Sequence, residues 1–161
     1  MTTIRSIQAS LSSVRTDLAE VFPRLSDEML EWAPADGMRT VKGQFVEILG
    51  TETSLQYLIQ ALPRPENDVV DAPFWATKTV DCLRQKTDEV RQATLTLLRN
   101  VGDEGLQTPV EVSAGFAEYL DLDVVTIEDL FRFISRHESY HAGQLVSYLW
   151  MRGDNPYDWE A

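Results

Sequence analysis

The sequence predicts an all-α fold, a four-helix bundle with a long crossover before the last helix, and three observations carry that expectation. Four segments repeat apolar residues at spacings of three and four, the period of an amphipathic helix. Prolines fall between these segments, where they end helices. The chain has 161 residues, 43% of them hydrophobic, a size at which one domain buries a proper core without disulfides or a structural metal. Residues 1–161 are therefore read as a single domain.

The first helix is expected from about Thr3 to Phe22, where Ile4, Ile7, Leu11, Val14, Leu18 and Val21 form one stripe and Pro23 stops it. A turn-rich stretch around Pro34, Asp36 and Gly37 leads to a second helix from near Thr40 to about Leu62. Its apolar stripe uses Val41, Phe45, Ile48, Leu55, Ile59 and Leu62, and Pro63 and Pro65 follow. A third helix is expected after Pro73, carrying Val80, Leu83, Val90, Leu97 and Leu98 to about Val101, before Gly102. From Gly102 to Val125 the glycines, Pro109 and the β-branched Val110 and Val112 predict a structured crossover with room for a short strand. The fourth helix has the clearest limits: Thr126 as N-cap with Asp129 three residues on, and Gly153 then Pro156 as the stop.

Charge narrows the partners. With 14 basic against 26 acidic side chains the formal charge is -12, a field that repels phosphate backbones and anionic lipid, so neither nucleic acid nor membrane is an expected partner. No segment approaches the roughly 18 to 20 apolar residues that span a bilayer. Cys82 is the only cysteine, so no disulfide closes within the chain and a reducing compartment is favoured. The first twenty residues carry charges throughout and do not read as a secretory signal, which points to a cytoplasmic protein. Cys82 reads as a small core residue, and Trp32, Trp75, Trp150, Tyr140 and Tyr148 as core aromatics at helical spacing.

Both histidines, His137 and His141, lie four apart in the fourth helix, the spacing at which two imidazoles meet one metal ion. They continue the stripe Leu130, Ile134, His137, His141, Leu145, the face a bundle buries. With no other histidine, a further ligand has to be carboxylate or water. The second helix offers Glu47 and Glu52. On a helical wheel Glu52 falls mid-stripe and Glu47 on the flank, so periodicity favours Glu52. A buried acid requires a cationic partner, so each glutamate also reads as one half of an ion pair with an arginine. Glu138 and Gln144 sit three residues before and after His141, within reach of a ligand ring. The run His137-Glu138-Ser139-Tyr140-His141 spells the H-E-x-x-H of zinc peptidases, but its extended form fails at Gln144 and Ser147.

These motifs resemble the DinB-like (DinB/YfiT) superfamily of four-helix-bundle metalloenzymes. The resemblance rests on Arg39-Thr-Val-Lys-Gly-Gln-Phe-Val-Glu-Ile-Leu-Gly-Thr-Glu52, on the H-x-x-x-H of His137 and His141 followed by Gly143-Gln144, and on Gly153-Asp-Asn-Pro156. Thr40 and Val41 fit the family's start of the second helix, and Glu52 fits its later acid. The position of the family's third histidine falls on Glu47, so the resemblance implies a metal site of His137, His141 and Glu47, with Glu52 the alternative third ligand. It implies a divalent cation, zinc ahead of nickel, iron or manganese, and a small-molecule substrate. It also implies metal-dependent transfer to, or isomerisation with, a low-molecular-weight thiol such as bacillithiol or mycothiol, and a homodimer. Two rival readings stand beside this: hydrolysis of a small amide or ester with Glu138 as proton shuttle, and a non-catalytic stress-associated bundle that binds a ligand through a degenerate site.

Overall fold

The computed structural model describes residues 3–159. Its helices are α1 (Thr3–Val21), α2 (Val41–Ile59), α3 (Asn67–Trp75), α4 (Val80–Gly105), α5 (Ala114–Leu120) and α6 (Ile127–Met151). The bundle is made by the four long ones: α6 packs chiefly against α1 and α2, and α4 against α2 and α1. Four helix starts are closed by a hydroxyl that accepts from a backbone N–H, at Thr40, Thr79, Ser113 and Thr126. Thr126 and Asp129 bond each other's backbone N–H reciprocally, the expected capping box. At the far end of α6, Gly153 takes φ 94° and its N–H returns to the Trp150 carbonyl at 2.9 Å, a turn that glycine makes without strain.

Two departures from expectation concern the connections. The third helix does not simply follow Pro73: a separate short helix, α3, contains that proline, and α4 starts only at Val80. Pro73 denies the Val69 carbonyl its partner, which is tolerated because Val69 lies on an exposed face. The crossover holds no strand among the described residues, only a single antiparallel bridge between Pro109 and Thr126. It contains a helix instead, α5, begun by the Ser113 cap. Within α4, Gly102 breaks the helical path at φ 67°.

The core is split in two. One apolar cluster gathers Leu18, Val21, Phe22, Phe45, Leu49, Leu83, Leu145 and Leu149, and the other Ile7, Leu11, Leu55, Ile59, Leu98, Leu130, Phe131 and Ile134. Between them along every long helix lies a polar level: Arg15 on α1, Glu52 on α2, Thr87, Arg91 and Thr94 on α4, and Glu138 and His141 on α6. Several expected core members lie outside. Leu62, Trp75, Trp150 and Tyr140 are 47%, 47%, 50% and 65% exposed, and Cys82 is exposed as well. The apolar period carries them to helix ends or outer faces that no neighbouring helix covers. Tyr148 is buried and Trp32 half-buried, as expected. No helix among the described residues is long and apolar enough to cross a membrane.

Candidate metal centre

The helical stripe of α6 turns His141 into the bundle and leaves His137 half-buried one turn earlier, with their Nε2 atoms 3.2 Å apart. Glu47, on α2, completes a group: one donor atom from each of Glu47, His137 and His141 lies within 4.8 Å of the other two. Periodicity favours Glu52, yet the residue brought to the imidazoles is Glu47. Glu47 is turned to the histidines of α6, whereas Glu52, in the middle of the stripe, meets Arg15 of α1 and Arg91 of α4. Glu52 is only 1% exposed and lies elsewhere, on Arg91, Arg15 and Thr94.

The protonation of the site follows from one chain of hydrogen bonds. Tyr148 donates its single hydroxyl proton to the Arg39 carbonyl at 3.0 Å, so toward Gln44 it accepts, from Nε2 at 2.8 Å. That orientation aims Gln44 Oε1 at His141 Nδ1, 2.6 Å away, and an amide oxygen only accepts. His141 therefore carries its proton on Nδ1 and presents an unprotonated Nε2 to the Glu47–His137 side, the arrangement a metal-ligating imidazole needs. Without a cation, a proton on His137 Nε2 satisfies the contact between the two rings.

Burial favours the neutral form of both imidazoles. Burial pushes the His137 pKa down to about 4, helped by His141, Arg39 and Arg136. Burial likewise lowers His141, against the raising effects of Glu47 and of the Gln144 side chain. Arg39 Nη2 holds Glu47 Oε2 at 2.9 Å and leaves the rest of that carboxylate available as a donor. The donors fit a divalent cation: zinc bonds of about 2.0 to 2.1 Å at tetrahedral angles place two nitrogens roughly 3.3 Å apart. Two imidazoles and a carboxylate also form a competent set, with a position left for substrate.

Glu138 takes another part. It is 1% exposed, and its carboxylate faces away from the triad into a buried quartet. Arg91 bonds it through Nη2 and also grips Glu52 in bidentate fashion, Nε to Oε1 at 2.8 Å and Nη2 to Oε2 at 3.1 Å. Arg15 donates through Nη2 to Glu52 Oε2 at 3.1 Å and to Glu138 Oε2 at 3.3 Å, and its Nε lies 2.9 Å from Glu138 Oε1, a charge contact without hydrogen-bond alignment. Burial raises the Glu52 carboxyl, but the Arg91 hydrogen bond and the charges of Arg91 and Arg15 prevail and hold it below the ordinary carboxylate range. The H-E-x-x-H spelling thus places its glutamate on two arginines. Gln144 is half-buried beside His141, and its Oε1 has no hydrogen-bond partner among the described residues.

Sequence reasoning missed Gln44, Arg39, Arg15 and Arg91. Arg91 had a usable signal, since Glu52 on a buried stripe requires a cation and Arg91 lies on the inner face of the next long helix. Gln44 had one too: it stands three residues before Glu47, one turn along the same face.

Beside the triad opens a cavity of about 320 Å³, lined by Glu47 and His137 together with Thr51, Ser54, Leu55, Leu58, Arg64, Phe116, Tyr119 and Phe133. Its aromatic wall comes from α5 and α6, so the crossover builds part of the site.

No curated protein and no solved structure matches the sequence. The profile of the DinB superfamily does, over residues 10–145. That span takes in both histidines, Glu47, all of α2 and α4 and the greater part of α1 and α6. On that match the chain belongs to the DinB superfamily.

Proposed function

We propose that the protein is a metal-dependent enzyme of small-molecule chemistry, a thiol S-transferase or isomerase, in which Glu47, His137 and His141 hold a divalent cation, zinc foremost. The observation that carries this reading is the convergence of the three donors at the wall of a cavity large enough for a small molecule. A divalent cation with an open position lowers the pKa of a thiol and so supplies a nucleophile at neutral pH. The chain's own residues do the rest. Gln44 holds His141 in the ligating tautomer, Arg39 restrains Glu47, and Leu58, Phe116 and Phe133 shield the reacting centre from water. Cys82 is exposed on α4 and does not line the cavity, so the thiol enters as a cosubstrate. The hydrolytic reading is not favoured, because Glu138, its proton shuttle, is committed to Arg15 and Arg91.

The test is metal content by plasma mass spectrometry on protein purified without chelator, beside His137→Ala, Glu47→Ala and Glu52→Gln. Near-stoichiometric metal in the wild type and in folded Glu52→Gln, with loss in the other two, is the expected result. Folded wild-type protein that takes up no divalent metal on titration overturns the reading. Loaded protein is then assayed for consumption of low-molecular-weight thiols with small electrophiles.

A further inference from the structure

The connection between α2 and α3 reads Leu62-Pro63-Arg64-Pro65. Each proline fixes its own φ and restricts the residue before it to extended backbone, so Arg64 is held on a stiff segment. Its guanidinium donates through Nη2 to the Asn67 side chain at the start of α3, which ties it down further. This arginine is unlike most others in the protein. Arg15, Arg24, Arg39, Arg84, Arg91 and Arg132 each pair with a carboxylate, whereas Arg64 forms no ion pair within 4 Å among the described residues and its bonded partner is neutral. Asp71 feels its charge only through space.

Among the described residues, Arg64 is also the only arginine or lysine that lines the cavity beside the triad. The other charged wall residue, Glu47, is already paired with Arg39. The same cavity has an apolar surface of Leu55, Leu58, Phe116 and Phe133. On a chain of net charge -12 anions are repelled in general, so a fixed cation with no carboxylate partner at an apolar cavity selects locally for negative charge.

We propose that this cavity takes a small amphiphilic carboxylate, its acid group bound by Arg64 and its short aliphatic or aromatic body packed on Leu58, Phe116 and Phe133. About 320 Å³ lies at the small end of ligand pockets and suits one ring or a short chain rather than a nucleotide or a peptide. Bound this way, the molecule shares its cavity with His137 and Glu47. The assignment rests on the reading of the triad as the reacting centre, and names the class of molecule that centre receives.

The experiment uses three ligands of one shape and different charge: phenylpropionate, phenylpropanol and phenylpropylamine, titrated by calorimetry into the wild type, Arg64→Gln, Phe116→Ala and His137→Ala. In the wild type the acid is expected to bind about tenfold or more tightly than the alcohol, and the amine most weakly. Arg64→Gln, a change at an exposed position, removes the acid's advantage and leaves the alcohol unchanged. Phe116→Ala weakens all three. An acid no tighter than the alcohol, or a preference that survives Arg64→Gln, overturns the proposal. If the preference survives Arg64→Gln and disappears in His137→Ala, a metal alone recognises the acid and Arg64 does not. Protein without metal that still shows the Arg64-dependent preference sinks the metal reading and keeps this one. Metal-loaded protein with no preference does the reverse.

Discussion

Alanine at Gln44 removes the acceptor of the His141 Nδ1 proton and frees the ring to turn or change tautomer. Metal affinity, measured in competition with a chromophoric chelator, is expected to fall about 10- to 100-fold. Tyr148→Phe should cost less, because its hydroxyl touches the Gln44 amide and not the ring. The two glutamates separate cleanly by what they lose. Glu52→Gln leaves Glu138 as the one carboxylate facing both Arg91 and Arg15 in the quartet, so one buried positive charge goes uncompensated, and the change is expected to lower unfolding free energy by about 3 to 5 kcal/mol in urea titrations. Glu47→Gln sits at a half-exposed pair with Arg39, so it should change stability by less than about 1 kcal/mol while abolishing metal uptake. His137 contributes to the loss of stability of the metal-free protein in acid. Its folded pKa near 4 lies below the ordinary 6.5, so the unfolded chain binds the extra proton and stability rises with pH across that window. The contribution is complete above pH 6.5 and is lost as pH falls toward 4. Urea midpoints measured through that range should slope less in His137→Gln. At this scale the sequence discloses the two histidines, because their spacing is the helical repeat. It leaves the third donor open between Glu47 and Glu52, because a helical wheel reports which side is buried and not which neighbour buries it.

Among the elements, α6 is the most legible, since its capping box, its stripe and its glycine stop are all local chemistry. Thr126→Ala deletes the cap and half of the box, and is expected to cost about 1 kcal/mol by urea unfolding. The first two helices were nearly as plain, for their stripes end at Pro23 and before Pro63. The short helices were not. In α3 the proline that usually marks an end lies inside a helix of 9 residues, and the period is too brief to register against it. In α5, 7 residues long, no residue is fully buried and a glycine sits in the first turn, so neither a stripe nor a propensity signal accumulates. Ser113, three residues before Phe116, was the available clue, as a hydroxyl cap. The bridge between Pro109 and Thr126 explains the β-branched signal of Val110: its N–H donates to the Val125 carbonyl at 2.8 Å and Ile127 N–H to the Thr108 carbonyl at 3.1 Å, but no second bridge extends it among the described residues.

For the molecule as a whole, the triad joins α2 to α6 across residues about 90 positions apart, so a cation that bound it only in the folded chain would stabilise the fold by mass action. At a free concentration about a thousandfold above Kd the gain is about 4 kcal/mol, and the thermal midpoint should rise with metal and fall back when a chelator is added. The composition and the helical period made the bundle legible, but the polar level through its middle belongs to no single segment. Arg15, Glu52, Arg91 and Glu138 come from four helices, and although Glu52 falls on an apolar stripe, no local pattern tells that the four meet. Their meeting has a mechanical consequence. Greasy helices can slip past one another by a turn, about 5.4 Å, and find comparable packing. Here such a slip would strand four charges against hydrocarbon, so the quartet works as an index pin. It fixes the longitudinal alignment of α2 with α6, and with it the height at which Glu47 meets His137 and His141.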